Sequence, residues 1–171
     1  MSKQFAIKDA IDLTVKELGQ SSNLMTINYL NDCEFTTEAE VVFAKKKGVN
    51  AVSFPGARTG TLTLNAELAD VNWLGLSLGG TVTGEKIEVT NTILNKAYII
   101  EGTFRVAYED GSEEVKKITF HKATPQVSSN ISFSAENVAS FSLVFDLLAD
   151  ATGKFITIDK NSLTVELEIE E

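Results

Sequence analysis

The sequence predicts a mainly β protein, an antiparallel β-sandwich or barrel with one short flanking α-helix. Three observations predict it. Apolar residues recur at every second position in run after run, the period of a half-buried strand. Asp110-Gly111 sits between two such runs as a hairpin turn. A single stretch, beginning at Asp70, has helical spacing instead.

The runs follow in order. Ile11, Leu13 and Val15 alternate with Ala10, Asp12, Thr14 and Lys16. Phe35, Thr37, Ala39, Val41 and Phe43 alternate with Glu34, Thr36, Glu38 and Glu40. Lys45 to Arg58 lacks this periodicity and holds Gly48, Pro55 and Gly56, so it reads as a long loop. Leu62, Leu64, Ala66 and Leu68 resume the strand pattern. Asp70 is a helix cap, Val71, Leu74 and Leu78 are the apolar positions, and Gly79-Gly80 is the stop. Tyr98, Ile100, Gly102, Phe104, Val106 and Tyr108 form one face of a long strand. Val115 to Phe120 is its hairpin partner, and Thr124-Pro125-Gln126 breaks the chain. Ile131 and Phe133, then Phe141, Leu143, Phe145 and Leu147, continue the pattern. Leu163, Val165, Leu167 and Ile169 predict a last strand or extension at about 160–171. There is no internal repeat, so residues 1–171 read as a single domain.

Fifteen lysines and arginines against 24 acids leave a net charge of −9. Bulk electrostatics therefore oppose binding to a phosphate backbone. One cysteine, Cys33, excludes an internal disulfide. Lys8, Asp9 and Asp12 interrupt the N-terminal apolar run, which does not read as a signal peptide. No stretch approaches the roughly 18 apolar residues of a membrane helix. A soluble protein made in a cytoplasm, with no membrane role, is the expectation.

Catalytic patterns are weak. Gly75-Leu76-Ser77-Leu78-Gly79 matches G-x-S-x-G, but that motif works on a strand-to-helix elbow in a parallel sheet, and here it falls inside the predicted helix. The only histidine, His121, lies in a strand-like run. Zinc needs several Cys or His ligands, and the chain has two such residues. Glu109, Asp110, Glu113 and Glu114 lack EF-hand spacing and read as a solvated hairpin tip. Asn130-Ile131-Ser132 is a glycosylation triplet that matters only in a secreted chain. No enzyme activity, catalytic residue, cofactor or metal is expected.

The stretch from Asp32 to Phe43 reads DCEFTTEAEVVF. On a strand, Asp32, Glu34, Glu38 and Glu40 share one face and Cys33, Phe35, Val41 and Phe43 the other. The four carboxylates make either an ordinary solvated face or a surface that must stay negative. Lys45, Lys46 and Lys47 follow, as a solubilising loop or as partners for acid on a neighbouring copy.

Thr59-Gly60-Thr61-Leu62-Thr63-Leu64, the helix at Asp70 with its Gly79-Gly80 stop, and Ile100-Glu101-Gly102-Thr103-Phe104 follow one another. The Asp110-Gly111 hairpin, Ile118-Thr119-Phe120-His121-Lys122-Ala123, the serine-rich run Ser128 to Ser134, Ser140 to Asp146 and Ala149-Asp150 complete the series. In this order they resemble the tail tube (major tail) proteins of tailed bacteriophages, over roughly Asp32 to Asp159. The resemblance implies a structural virion protein, assembled in the bacterial host and located in the tail. It implies hexameric rings whose inner sheets join into one β-barrel, stacked as a tube that conducts DNA without specific binding. The implied partners are further copies of the chain, then tape-measure, tail terminator and baseplate or sheath proteins. Under it, Asp32, Glu34, Glu38 and Glu40 are expected to face the lumen. Lys45, Lys46, Lys47, Gly48, Pro55 and Gly56 are expected to form a ring-stacking loop. The competing readings are a soluble β-sandwich adhesion or interaction module, a ligand-binding barrel of lipocalin type, and the hydrolase of the Gly75–Gly79 motif.

Overall fold

A computed structural model describes residues 4–93, 96–127 and 140–160. The alternating runs at 128–134 and 161–171 lie outside the described residues. In chain order the elements are β1 (Phe5–Glu17), β2 (Met25–Ile27), β3 (Asp32–Lys46), β4 (Val49–Ala66) and α1 (Val71–Leu78). β5 (Thr81–Thr83), β6 (Lys86–Glu88), β7 (Tyr98–Tyr108), β8 (Glu113–Pro125), β9 (Phe141–Leu148) and β10 (Ile156–Lys160) follow. The fold is mainly β and antiparallel, with a single short helix among the described residues and no closed barrel.

One sheet carries the fold, in the order β2-β1-β7-β8-β9-β4-β3. β8 divides one of its edges between two partners: Lys122–Pro125 pairs with β9, while Lys116–Phe120 pairs with β10. The sheet parts at this fork and doubles over. Phe35 on β3 and Phe120 on β8 prove the doubling. Three strand spacings in a flat sheet would hold them roughly 14 Å apart, yet their rings meet edge to face at 5.6 Å.

The core fills the space between the two layers. Leu13 and Val15 of β1, Ile100 of β7 and Phe120 of β8 meet Leu62 and Leu64 of β4 and Leu143, Phe145 and Leu147 of β9. Each such side chain contributes about 1.5–3 kcal/mol on full burial. Their alternation with exposed or half-buried neighbours is the strand period read from the sequence.

The helix closes one end. Asp70 Oδ1 accepts from Trp73 N at 2.7 Å, satisfying one of the unpaired amides of the first turn. Gly79 N and Gly80 N donate to Leu76 O and Gly75 O at 3.3 and 2.9 Å and end the helix. The buried face is Trp73, Leu76 and Ser77, whereas the expected apolar positions Val71, Leu74 and Leu78 are only half-buried. Trp73 turns inward onto Tyr29, ring centroids 6.3 Å apart, and this contact orients so short a helix.

Candidate functional site: an acidic strand that becomes an apolar arm

β3 and β4 pair from Asp32↔Asn65 to Lys46↔Val49. Residues 45–58, expected as a loop, are instead the outer part of this hairpin. Lys45 and Lys46 belong to β3, Pro55 and Gly56 belong to β4, and Lys47-Gly48 is the two-residue turn between them. Both turn residues have left-handed backbones, φ 54 and 83°, as a tight hairpin of primed type requires. β9 supports β4 only from Gly60 to Ala66. Beyond that the two strands project as a ribbon.

The inner half of β3 carries the acids. Cys33 packs on the core and the Phe35 ring meets Phe120, so the even-numbered residues face out. Asp32, Glu34, Glu38 and Glu40 are all exposed on that outer face. Asn65, Thr63 and Thr59 stand across from Asp32, Glu34 and Glu38, and Thr61 across from Thr36 between them. Asn65 Nδ2 donates to Asp32 Oδ2 at 3.4 Å, and the Thr36 and Thr61 hydroxyls share a hydrogen bond of 2.8 Å. Asp146 on β9, opposite Thr61, extends the acid and accepts from Gln126 Nε2 at 2.7 Å. From Asp32 to Glu40 on β3, and at the β4 positions across from them, this face holds no lysine or arginine.

The outer face of the other layer is charge-balanced. Glu101 on β7 lies between Lys117 Nζ at 2.8 Å and Lys16 Nζ at 3.1 Å. The Lys117 hydrogen bond, aided by Lys16, holds the Glu101 carboxyl below its usual range. One flank of the molecule is therefore neutralised and the other is open acid.

At Glu40 the pattern changes. Ala39 faces Arg58 but Val41 faces Pro55, so Gly56 and Ala57 together oppose Glu40 as a bulge. A Cβ on Gly56 would lie 2.9 Å from Glu40 O, so the bulge needs glycine there. Past the bulge, Val41 and Phe43 lie on one face of the ribbon, and Val42 with Phe54 and Ala44 with Val52 lie on the other. Val41, Val42, Phe43, Val49, Val52 and Phe54 are between 46% and 69% exposed. The arm is thus apolar on both faces, with Lys45, Lys46 and Lys47 at its tip. Sequence reasoning missed it, although the unbroken run Val41-Val42-Phe43-Ala44 was the signal of a strand apolar on two sides.

The residues of the catalytic patterns lie apart from this surface. Ser77 is buried inside α1, its hydroxyl donating to Leu74 O at 3.1 Å. His121 Nε2 shares a 2.6 Å hydrogen bond with Thr157 Oγ1, and Nδ1 lies 3.8 Å from Asp150 Oδ2. These contacts fasten β10 and the turn before it to β8. At the hairpin tip, Glu113 takes Lys8 at 2.8 Å and Asp110 caps Ser112 N at 3.0 Å. Among the described residues no group of three or more His, Cys, Asp or Glu is arranged to hold a metal ion. The Cys33 thiol is pushed up to about 11 by burial and by the charge of Asp32.

No protein-family model matches the chain, and no curated protein matches it. Among solved structures, its fold is similar to a chain of the anti-feeding prophage tube-terminating cap, at 15% identity and TM-score 0.49, over 94% of this chain and 95% of that one. It is similar to a chain of the anti-feeding prophage baseplate at 12% identity and TM-score 0.47, over 95% and 97%. It is similar to a chain of the sheath–tube complex of an extracellular contractile injection system, in the extended state, at 13% identity and TM-score 0.43, over 87% and 88%.

Proposed function

We propose that this chain is a non-catalytic structural subunit that assembles with copies of itself into hexameric rings stacked as a phage-type tail tube. The observation that carries the reading is β3. Its outer edge pairs with nothing among the described residues, and it runs on into an arm apolar on both faces. A chain that stayed monomeric in water would have to blunt such an edge and cover such a surface. Neighbouring copies do both at once. The resemblance to tail tube proteins supplies the ring, the tube and the partners: tape-measure, terminator and baseplate or sheath proteins.

In this reading the open acidic flank lines the channel. Asp32, Glu34, Glu38 and Glu40, repeated around six copies, hold a negative potential that a narrow pore screens poorly. DNA then finds no counter-charge and passes without being held. The neutral flank bearing Lys16, Glu101 and Lys117 faces outward. The test is negative-stain microscopy and sedimentation of the purified protein. Rings or tubes are the expected result, and monomers at every concentration would refute the proposal.

A further inference from the structure

The doubled sheet does not close on its open side. A cleft of about 550 Å³ enters between the layers there. Its walls are Leu13 of β1, Phe35 of β3, Phe104 of β7, Ile118 of β8 and Ile158 of β10, with Ile7 at the lip. Ile7 is 67% exposed, Ile158 54% and Phe35 45%, so this is apolar surface left in water. Asp9 and Asp32 stand on the rim. Lys8, also on the rim, is paired with Glu113.

The arm and the cleft are complementary in two respects. The arm offers six half-exposed apolar residues, roughly 500 Å² of surface, of the size that usually marks an interaction site. Together with about 300 Å² from Ile7, Phe35 and Ile158 of the cleft, that comes to about 800 Å² removed from water, the size of a weak contact that gains strength by repetition around a ring. The arm tip carries Lys45, Lys46 and Lys47, and the rim of the cleft carries the Asp9 carboxylate. The two surfaces also lie at opposite ends of one strand. Phe35 is in the cleft and Gly48 is at the tip, thirteen extended residues or roughly 40 Å away. A straight ribbon cannot return to its own cleft over that distance.

We propose that the arm of one copy docks in the cleft of the next, apolar ribbon against apolar mouth, with the tip lysines toward Asp9. This deepens the self-assembly reading above and rests on it. Because donor and acceptor are different patches, the contact is head-to-tail and leaves a free arm at one end and a free cleft at the other. Such a contact propagates instead of stopping at a dimer.

The chain carries its own probe. Cys33, the single cysteine, lines the cleft. Phe43→Cys and Val52→Cys, made one at a time at exposed positions of the arm, should fold as the wild type does. After assembly and treatment with a short bismaleimide, denaturing gels should show a ladder of dimers, trimers and higher species. Wild type should give no ladder, and adding Cys33→Ser to either variant should abolish it. Particles without a ladder, from variants whose Cys33 takes up a monofunctional maleimide before assembly, would overturn the proposal, since the arm would then lie elsewhere. Cross-links that persist with Cys33→Ser would overturn it in favour of arm-to-arm contact. If no particle forms at all, the self-assembly reading fails and this inference falls with it.

Discussion

Placing aspartate at Val42 and Phe54 tests the arm directly. The two residues face each other across the ribbon and are 53% and 55% exposed in the single chain. Neither touches the core, so the double variant should keep the wild-type melting temperature to within a few degrees. Assembly is another matter. At about 200 Å² for a phenylalanine and somewhat less for a valine, the two present roughly 190 Å² of apolar surface to a neighbour. At ~25 cal/mol per Å² this is about 5 kcal/mol for each contact formed. With 1.4 kcal/mol to each factor of ten, association should weaken by over a thousandfold, before the desolvation of two carboxylates is counted. Sedimentation velocity across a concentration series, with circular dichroism to confirm the fold, measures both halves of the expectation. A folded double variant that still polymerises at wild-type concentration would refute the reasoning.

Reversal of Glu34 and Glu38 to lysine should spare folding, since both are exposed, yet make assembled particles retain DNA in a salt-dependent way; filter retention at low and high salt measures it. Asp70→Ala removes the helix cap and should cost about 1 kcal/mol, or a drop of roughly 2–4 °C in Tm by calorimetry. The Glu101 carboxyl is held below its ordinary value of 4.5 by Lys117 and Lys16. Its pairing therefore stabilises the fold above that value and is lost as pH falls through the lowered one. Glu101→Gln should be less stable than wild type at neutral pH, and its Tm should fall less steeply on acidification below 4.5.

The sequence made some elements legible and hid others, for physical reasons. The helix was readable because its ends are local: Asp70 and Gly79-Gly80 act within one turn of it. So was the hairpin at Asp110-Gly111, where Gly111 has φ 81°. The strand Tyr98–Tyr108 begins and ends where its alternation does. The arm was misread because Pro55-Gly56 normally punctuates a loop. Here β4 has β3 on one side only at this point, so proline leaves no second partner strand wanting an amide, and glycine serves the bulge. The acidic face was legible by parity alone, because β3 itself carries no extra residue between Asp32 and Glu40. The cleft was not legible. It depends on β8 serving three partner strands, and non-local pairing of that kind leaves no mark in a window of neighbouring residues.

A density map of the assembled protein tests the central claim most directly. The account predicts six-fold rings with Glu34 and Glu38 pointing into a central channel, Glu101 on the outer wall, and each arm reaching a copy in the adjacent ring. Rings in which Glu34 and Glu38 point to the outer solvent, with the arms left uncovered, would contradict it.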